Sequence, residues 1–180
     1  SPLLSPDGNR LSFLAPVDSV LNVWVAPASD LAKAEAVTQD KGRGIRSYQW
    51  AYTNTHLLYA QDQDGDENWH VHSVDLSTGQ TKDLTPLDRV QARFQHISPK
   101  FPDEIVLALN DRDPQLHDLY RVNIKTGVKK LIQRNSGFIY FIVDDEYVIR
   151  FATKITAGGG TDMFKPTENS SWELFTSIEM

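Results

Sequence analysis

Short runs of apolar and β-branched residues, each bounded by glycine, proline, asparagine or aspartate, follow one another along the chain. This pattern is typical of strands joined by tight turns. It predicts strands over residues 104–109, 119–124 and 128–133, and a further strand that begins the next repeat at 138–143. Residues 125–127 (Lys-Thr-Gly) form the predicted turn between the second and third of these strands, because glycine supplies the positive φ that a tight hairpin needs.

A sustained helical stripe of apolar residues is not found in the sequence. The best helical candidate, residues 28–37, is short and carries no apolar face. The predicted fold class is therefore all-β.

The strand pattern repeats with a period of 44 to 48 residues. Residues 74–79 (Val-Asp-Leu-Ser-Thr-Gly) match residues 122–127 (Val-Asn-Ile-Lys-Thr-Gly) at an offset of 48, and the same offset places His72 on Trp24. An offset of 44 continues the match into a last unit. The four predicted units cover approximately residues 1–42, 43–90, 91–136 and 137–180.

Units of this length with four short antiparallel strands are typical of β-propeller blades. Four blades lie at the low end for a closed ring, so residues 1–180 are predicted to form a single partial-propeller domain of about four blades. The end blades of such an arc expose faces that a complete ring buries. We expect self-association through these open blade faces.

Composition narrows the classes of partner. Hydrophobic residues make up 40% of the chain and charged residues 23%, which supports a folded core and excludes a disordered segment. The net charge of −6 argues against a nucleic-acid partner, and no apolar run approaches the roughly 18 residues that a membrane span needs. The absence of cysteine excludes disulfides and a thiol nucleophile, but it does not decide between cytoplasm and periplasm. No signal peptide is visible, although such a segment could have been removed.

Several dispersed segments resemble a known family. Residues 5–8 (Ser-Pro-Asp-Gly), followed by residues 10–14 (Arg-Leu-Ser-Phe-Leu), resemble the strand opener of TolB-type, WD40-like propeller repeats. Together with residues 21–25, the acidic residues 62–69 and residues 109–120, they resemble the N-terminal propeller of prolyl oligopeptidase-family serine peptidases. The resemblance runs over nearly the whole chain.

In that family the propeller precedes an α/β-hydrolase domain that carries a Ser-Asp-His triad, and it restricts which peptides enter. The present chain has no Gly-x-Ser-x-Gly nucleophile elbow. The sequence has no glycine-flanked serine nucleophile for a histidine to activate. This holds for all five histidines, which are His56, His70, His72, His96 and His117. The resemblance therefore implies a non-catalytic, substrate-gating segment without a cofactor, whose partners are a C-terminal hydrolase domain and short peptide substrates.

The acidic residues Asp62, Asp64, Asp66 and Glu67 are the strongest candidates for metal ligands, since carboxylates at alternating positions can wrap Ca²⁺. An EF-hand loop requires glycine at its sixth position and glutamate at its twelfth, which here are Glu67 and Ser73. We therefore interpret the run as a solvated hairpin tip. A loop that faces the hydrolase domain or substrate channel, and a metal site, are the alternatives.

His70 and His72 lie two residues apart in a predicted strand, so their side chains should share one face at about 7 Å. A metal-binding pair is one interpretation. Because His72 takes the place of Trp24 and Tyr120 in the neighbouring units, we favour a packing slot between blades.

Other candidates are weaker. The four tryptophans could stack a carbohydrate, but Trp24 occupies a repeated strand position that favours the core. Residues 158–160 (Gly-Gly-Gly) lack the lysine and helix of a phosphate loop and are interpreted as a flexible hairpin. One of five scattered arginines could hold a peptide carboxylate or pair with the missing domain, and the sequence does not choose among Arg43, Arg46, Arg89, Arg93 and Arg112.

Two other functions stay open at this point. A TolB-like propeller could dock partner proteins with no peptidase attached, and a propeller hydrolase could hold a metal on its axis. Residues downstream of Met180 would discriminate, because a βα pattern with Gly-x-Ser-x-Gly supports the peptidase and further blades support the docking module.

Overall fold

The computed structural model describes residues 2–169 and 171–179, which form four antiparallel sheets of four strands each. The first sheet contains β1 (Leu3–Leu4), β2 (Arg10–Val17), β3 (Val20–Pro27) and β4 (Glu35–Ala36). The second contains β5 (Tyr48–Trp50), β6 (His56–Gln61), β7 (His70–Asp75) and β8 (Gln80–Asp83). The third contains β9 (Ala92–Ile97), β10 (Glu104–Asp113), β11 (Leu116–Asn123) and β12 (Lys129–Gln133), and the fourth contains β13 (Tyr140–Val143), β14 (Ile149–Ile155), β15 (Thr161–Pro166) and β16 (Trp172–Ile178).

Within every sheet the strands lie in chain order, so each blade is an up-and-down meander. This arrangement confirms the predicted all-β class and the partial propeller of about four blades. The weak helical candidate at 28–37 contains one 3₁₀ turn, Leu31–Lys33, which Asp30 caps by accepting a hydrogen bond from the backbone N–H of Ala32. In the part of the chain that is described, no helix is long and apolar enough to cross a bilayer.

Two predicted strand boundaries differ from the structure. The strand predicted at 104–109 continues to Asp113, because pairing resumes at Asp113 and Leu116 after an irregularity that follows Leu109. The strand predicted from residue 138 begins only at Tyr140. Phe138 belongs to the preceding turn, where its backbone N–H donates to Oδ1 of Asn135 at 2.7 Å.

The hairpin turns of the second and third blades are the same structure, as their matching sequences predicted. In one, the N–H of Gly79 donates to the carbonyl of Asp75 at 2.7 Å, and in the other Gly127 donates to Asn123 at 2.8 Å. Both glycines have positive φ, +71° and +78°. Any other residue would be strained at these positions, which confirms the predicted role of glycine here.

A cross-strand pair between the second and third strands recurs at the same place in all four blades. The pairs are Phe13 with Trp24, Tyr59 with His72, Leu107 with Tyr120, and Ala152 with Phe164. The members on the third strands, Trp24, His72, Tyr120 and Phe164, reproduce the offsets of 48, 48 and 44 in the sequence. The repeat therefore preserves a packing slot as well as a sequence pattern.

The core is divided among three interfaces, each between the faces of consecutive blades. Val23, Leu57 and Val74 are buried between the first and second blades, together with Trp50. Leu58, Val71, Leu107 and Val122 belong to the second interface, and Val106, Leu119, Phe141 and Ala152 to the third. A single twisted four-stranded sheet has no core of its own, so each blade depends on its neighbours for burial of its apolar faces.

Each interface also contains a buried polar contact between neighbouring blades. The Ser12 hydroxyl accepts a hydrogen bond from Nε1 of Trp50 at 2.8 Å. The Ser73 hydroxyl donates to the carbonyl of Ile124 at 2.7 Å, and the Tyr147 hydroxyl donates to the carbonyl of Glu104 at 2.6 Å. These hydrogen bonds are directional. They therefore fix the position of one blade on the next more sharply than apolar packing alone does.

The two end blades carry apolar side chains on their open faces. Leu4 of the first blade is 60% exposed, and Phe175 of the last blade is 54% exposed. The ring centroids of Phe151 and Phe175 lie 5.2 Å apart on that last blade. These faces are the surfaces at which the sequence predicted self-association.

We expect Leu107→Ala to lower the free energy of unfolding by about 2–5 kcal/mol, since it leaves a cavity in the second interface. Leu107 is fully buried there. The matched control is Val128→Ala, because Val128 is 70% exposed and its truncation should cost about 0.5 kcal/mol or less. Urea unfolding followed by tryptophan fluorescence measures both, and equal losses for the two variants would contradict the interface model.

Candidate functional site

The connections between the second and third strands of each blade, and those between consecutive blades, emerge at one end of the molecule. This follows from the antiparallel order, in which every second strand ends and every third strand begins at the same edge. The acidic run, the hairpin at 158–160 and three of the five candidate arginines lie in these connections. We call this edge the acidic-loop end.

The acidic run forms the loop between β6 and β7, and its four carboxylates have different surroundings. Asp62 is only 8% exposed and accepts a hydrogen bond from Nη1 of Arg43 at 2.6 Å. Asp66 accepts from the side chain and backbone of Asn68, bonds that lower the pKa of the Asp66 carboxyl. Asp64 and Glu67 are exposed, with φ of +53° and +60°.

This geometry gives no support to a calcium loop. Over residues 2–169 and 171–179, no group of three or more histidine, cysteine, aspartate or glutamate side chains is placed to hold a metal ion. Asp62 is already neutralised by Arg43, and Asp66 is occupied by the turn that it stabilises. The run is a hairpin tip in which the buried Asp62, at its base, pairs with the exposed Arg43.

His70 and His72 share a face, as predicted, with ring centroids 6.4 Å apart. His72 stacks on Tyr59 at 4.9 Å between ring centroids, and burial lowers the pKa of His72 so that the ring is neutral at neutral pH. Nδ1 of His70 lies 2.7 Å from Oδ2 of Asp83. His72 thus packs in the repeated cross-strand slot of its own blade, whereas the sequence interpretation placed this slot between blades.

A pocket of about 610 Å³ opens beside the acidic loop, and its charge is strongly negative. We call it the acidic pocket. It is lined by six aspartates and two arginines: Asp40, Asp62, Asp64, Asp66, Asp83, Asp88, Arg43 and Arg89. The concentration of like charge in a concave surface favours cations.

A second pocket, of about 570 Å³, lies where loops of the second blade meet the inner strands of the third and fourth. We call it the interblade pocket. It is lined by residues 66–68, 91, 93–95, 108, 110, 114–117, 135 and 137–141. Asp66 and Asn68 line both pockets, so the two pockets adjoin at the acidic-loop end, and we call them together the groove.

Two of the five candidate arginines are engaged in ion pairs with buried carboxylates. Arg43 pairs with Asp62. Arg112 binds both oxygens of Asp118 at 2.8 Å and also donates to the carbonyl of Asn135 at 2.9 Å. The positive charge of each is therefore already balanced by an internal carboxylate. Arg93 bonds instead to the neutral side chain of Gln91 and lines the interblade pocket.

The remaining candidates serve packing. Trp24 lies 6.5 Å from Phe13 between ring centroids, and Trp172 lies 4.7 Å from Phe138 in the third interface. The tryptophans therefore do not form one stacking surface. Residues 158–160 close the hairpin between β14 and β15, where the N–H of Thr156 donates to the carbonyl of Gly160 at 2.9 Å.

Serine and histidine side chains are not paired anywhere in the described residues. His70 and His96 bond to aspartates, and Nδ1 of His56 lies within reach of the hydroxyls of Thr53 and Thr55. The buried serines donate or accept across blade interfaces instead.

The sequence did not reveal the interblade pocket. Its polar lining, which includes Gln91, Arg93 and Asn110, comes from different strands and loops and follows no common spacing. Arg93 was one of five equivalent candidates. The sequence offered one signal for Arg93. It follows the buried Ala92 on the first strand of a predicted blade, so strand alternation places its side chain on the opposite face.

No protein-family model matches the chain. Over 176 residues the chain is 46% identical to dipeptidyl aminopeptidase BIII of Pseudoxanthomonas mexicana, in a match that covers 97% of this chain and 26% of that protein. The chain spans about a quarter of the length of the curated relatives that it matches.

Two solved structures illustrate the shared fold. Oligopeptidase B from Leishmania major matches with a TM-score of 0.63 and 13% identity, covering 97% of this chain and 26% of that one. TolB from Acinetobacter baumannii matches with a TM-score of 0.57 and 16% identity, covering 98% of this chain and 43% of that one. With the sequence relative, they confirm the predicted resemblance to prolyl oligopeptidase-family and TolB-type propellers.

We expect Asp118→Asn to lower the free energy of unfolding at neutral pH by about 1–3 kcal/mol, because it removes the charge in the bonds to Arg112 and Asn135. Burial raises the pKa of Asp118, but these bonds outweigh it and the pKa is lowered. The charge therefore stabilises the fold above the ordinary carboxyl pKa near 4, and this contribution is lost as the pH falls through the lowered pKa.

Urea unfolding between about pH 3 and pH 7 measures this effect. The wild type should lose more stability on acidification than the variant does. Asp103→Asn is the control, since Asp103 pairs with Lys125 at the opposite end and is half exposed. Parallel pH profiles for the wild type and Asp118→Asn would contradict the assignment.

Proposed function

We propose that this chain, a propeller segment of the prolyl oligopeptidase-family type, is the non-catalytic part of a serine peptidase that cleaves short peptides. In this role the blades form a narrow entrance to a hydrolase domain that lies elsewhere in the parent protein. Short peptides pass and folded proteins are excluded by size. The 46% identity to a dipeptidyl aminopeptidase along almost the whole chain is the observation that carries this proposal.

The geometry supports a selecting role over a catalytic one. The polar side chains at the acidic-loop end either stabilise loops or line the groove, and the described residues contain no serine bonded to a histidine. The groove is open to solvent and crosses several blades. A peptide in extended conformation fits such a surface.

The negative charge of the acidic pocket adds selection by charge to selection by size. Six aspartates against two arginines give a field that attracts cationic peptides and repels anionic ones. Because several of these carboxylates are exposed, the effect should weaken with salt.

A docking module is the alternative function, and the similarity to TolB favours it. In that case the same groove binds a partner protein and no peptidase is attached. Propellers serve both purposes, so the parent protein decides between the two.

We expect the parent protein to hydrolyse short unstructured peptides while sparing folded proteins, because the blades limit access by size. The isolated 180-residue chain should hydrolyse neither. Rates measured against peptides of increasing length, with and without a serine-directed inhibitor, check this expectation. Hydrolysis by the isolated chain, or equal rates for peptides and folded proteins, would contradict the proposal.

We also expect the parent peptidase to prefer cationic over anionic peptides of matched length, most strongly at low salt. The variant Asp64→Asn/Asp88→Asn should reduce that preference, since both side chains are exposed in the acidic pocket. Glu35→Gln/Glu179→Gln removes the same charge outside the pocket and should leave the preference unchanged. Equal kcat/KM values for cationic and anionic peptides, at both low and high salt, would contradict selection by charge.

A further inference from the structure

Arg93 is held in a fixed orientation at the wall of the interblade pocket. Its Nε and Nη2 both donate to Oε1 of Gln91, at 2.9 and 2.6 Å. Gln91 is itself anchored, because its side-chain amide donates to the carbonyl of Glu67 and its backbone N–H donates to Oδ1 of Asn110 at 2.6 Å. The guanidinium is therefore pre-organised by groups from two blades.

This arginine differs in its partner from the arginines that form ion pairs. Arg43, Arg112, Arg121 and Arg150 each pair with a carboxylate. Among the described residues no carboxylate lies within ion-pair distance of Arg93, and its bonding partner is a neutral amide. A guanidinium has five N–H donors, so an arginine that spends two of them on Gln91 keeps a free edge for an anion.

The pocket that Arg93 lines is more polar than apolar, but it also contains apolar side chains. Phe94 and Phe138 are among its lining residues, and Ile139 and Tyr140, which also line it, are both more than half exposed. A ligand that places a negative group on Arg93 can therefore set an apolar group against side chains of the same pocket. This combination is the chemistry of a carboxylate attached to an apolar side chain.

The other ionisable groups around the pocket determine what competes with a ligand for Arg93. Burial, together with the positive charge of Arg93, lowers the pKa of His117 to about 4, so His117 is neutral at neutral pH. The carboxylate of Asp66 is occupied by Asn68. Glu67 is exposed and free of ion pairs in the described structure, so its carboxylate is the internal competitor for Arg93.

We propose that Arg93, held by Gln91, binds the C-terminal carboxylate of a short peptide whose last residue is apolar, with that residue's side chain seated in the interblade pocket. The guanidinium of Arg93 binds the peptide carboxylate through two parallel, charge-assisted N–H···O hydrogen bonds. The site belongs to the folded propeller itself and does not depend on the gating role proposed above.

The test uses two probes of the same shape, N-acetyl-L-phenylalanine and N-acetyl-L-phenylalaninamide, titrated into the ¹⁵N-labelled 180-residue chain at neutral pH. The acid should bind at least about tenfold more tightly than the amide and should shift the Nε–H resonance of Arg93. Acetylation removes the amino group, so binding of a cation in the acidic pocket cannot produce the result.

Three variants complete the test. Arg93→Gln should abolish the preference for the acid, while Arg46→Gln should leave it intact, because Arg46 is exposed and lies outside the pocket. Glu67→Gln should tighten binding of the acid about two- to threefold by removing the competing carboxylate. The last variant keeps Arg93 in place, so it tests the site even where Arg93→Gln disturbs the local fold.

Equal binding of the two probes, or no saturable shift at about 20 mM probe, overturns the proposal. So does an Arg93→Gln variant, folded by its amide spectrum, that binds the acid as the wild type does. None of these measurements uses peptidase activity. The gating proposal can therefore fail while the carboxylate site stands, and the reverse also holds.

Discussion

Burial of one sheet's face against the next is the constraint on which this structure depends. A four-stranded meander of short strands exposes apolar residues on both faces and has no interior of its own. Leu58, Leu107 and Phe141 are buried because another blade covers them. The hydrophobic effect therefore acts between repeats, while the hydrogen bonds of the strands act within them. Side chains such as Ser73 then fix how one blade is placed on the next.

The functional surfaces follow from that stacking. Pockets open where loops of successive blades diverge at the acidic-loop end, and their linings come from two or three blades at once. Arg43 neutralises Asp62 at the base of the acidic loop, so the buried part of the run is structural and the exposed part is left to interact. In the interblade pocket, Gln91 performs the corresponding task for Arg93 without neutralising it. The difference between a carboxylate and an amide partner separates a structural arginine from one that can bind a ligand.

Sequence reasoning predicted the fold well and the site poorly, for related reasons. The repeat, the strand alternation and the glycine turns at Gly79 and Gly127 are local signals, and each is a direct consequence of backbone geometry. The end of β10 was missed because pairing resumes beyond an irregularity, which no alternation rule anticipates. The arginines could not be ranked, because their partners lie at unrelated separations along the chain: Arg93 bonds to Gln91 two residues away, Arg43 to Asp62 nineteen residues away. Only the folded arrangement reveals which charge is already satisfied.

The unequal covering of the blades has a consequence for how this chain loses structure. The second and third blades are sandwiched on both sides, whereas the first and fourth each leave one face to water, with Leu4 and Phe175 exposed there. In a linear array held by nearest-neighbour contacts, the terminal elements fray first and the middle ones melt last. We therefore expect backbone amides of β6 and β10 to exchange with deuterium only when the whole chain unfolds. Those of β2 and β14 should also exchange through partial unfolding, which costs less free energy. Covering both outer faces would turn this graded response into a single cooperative event.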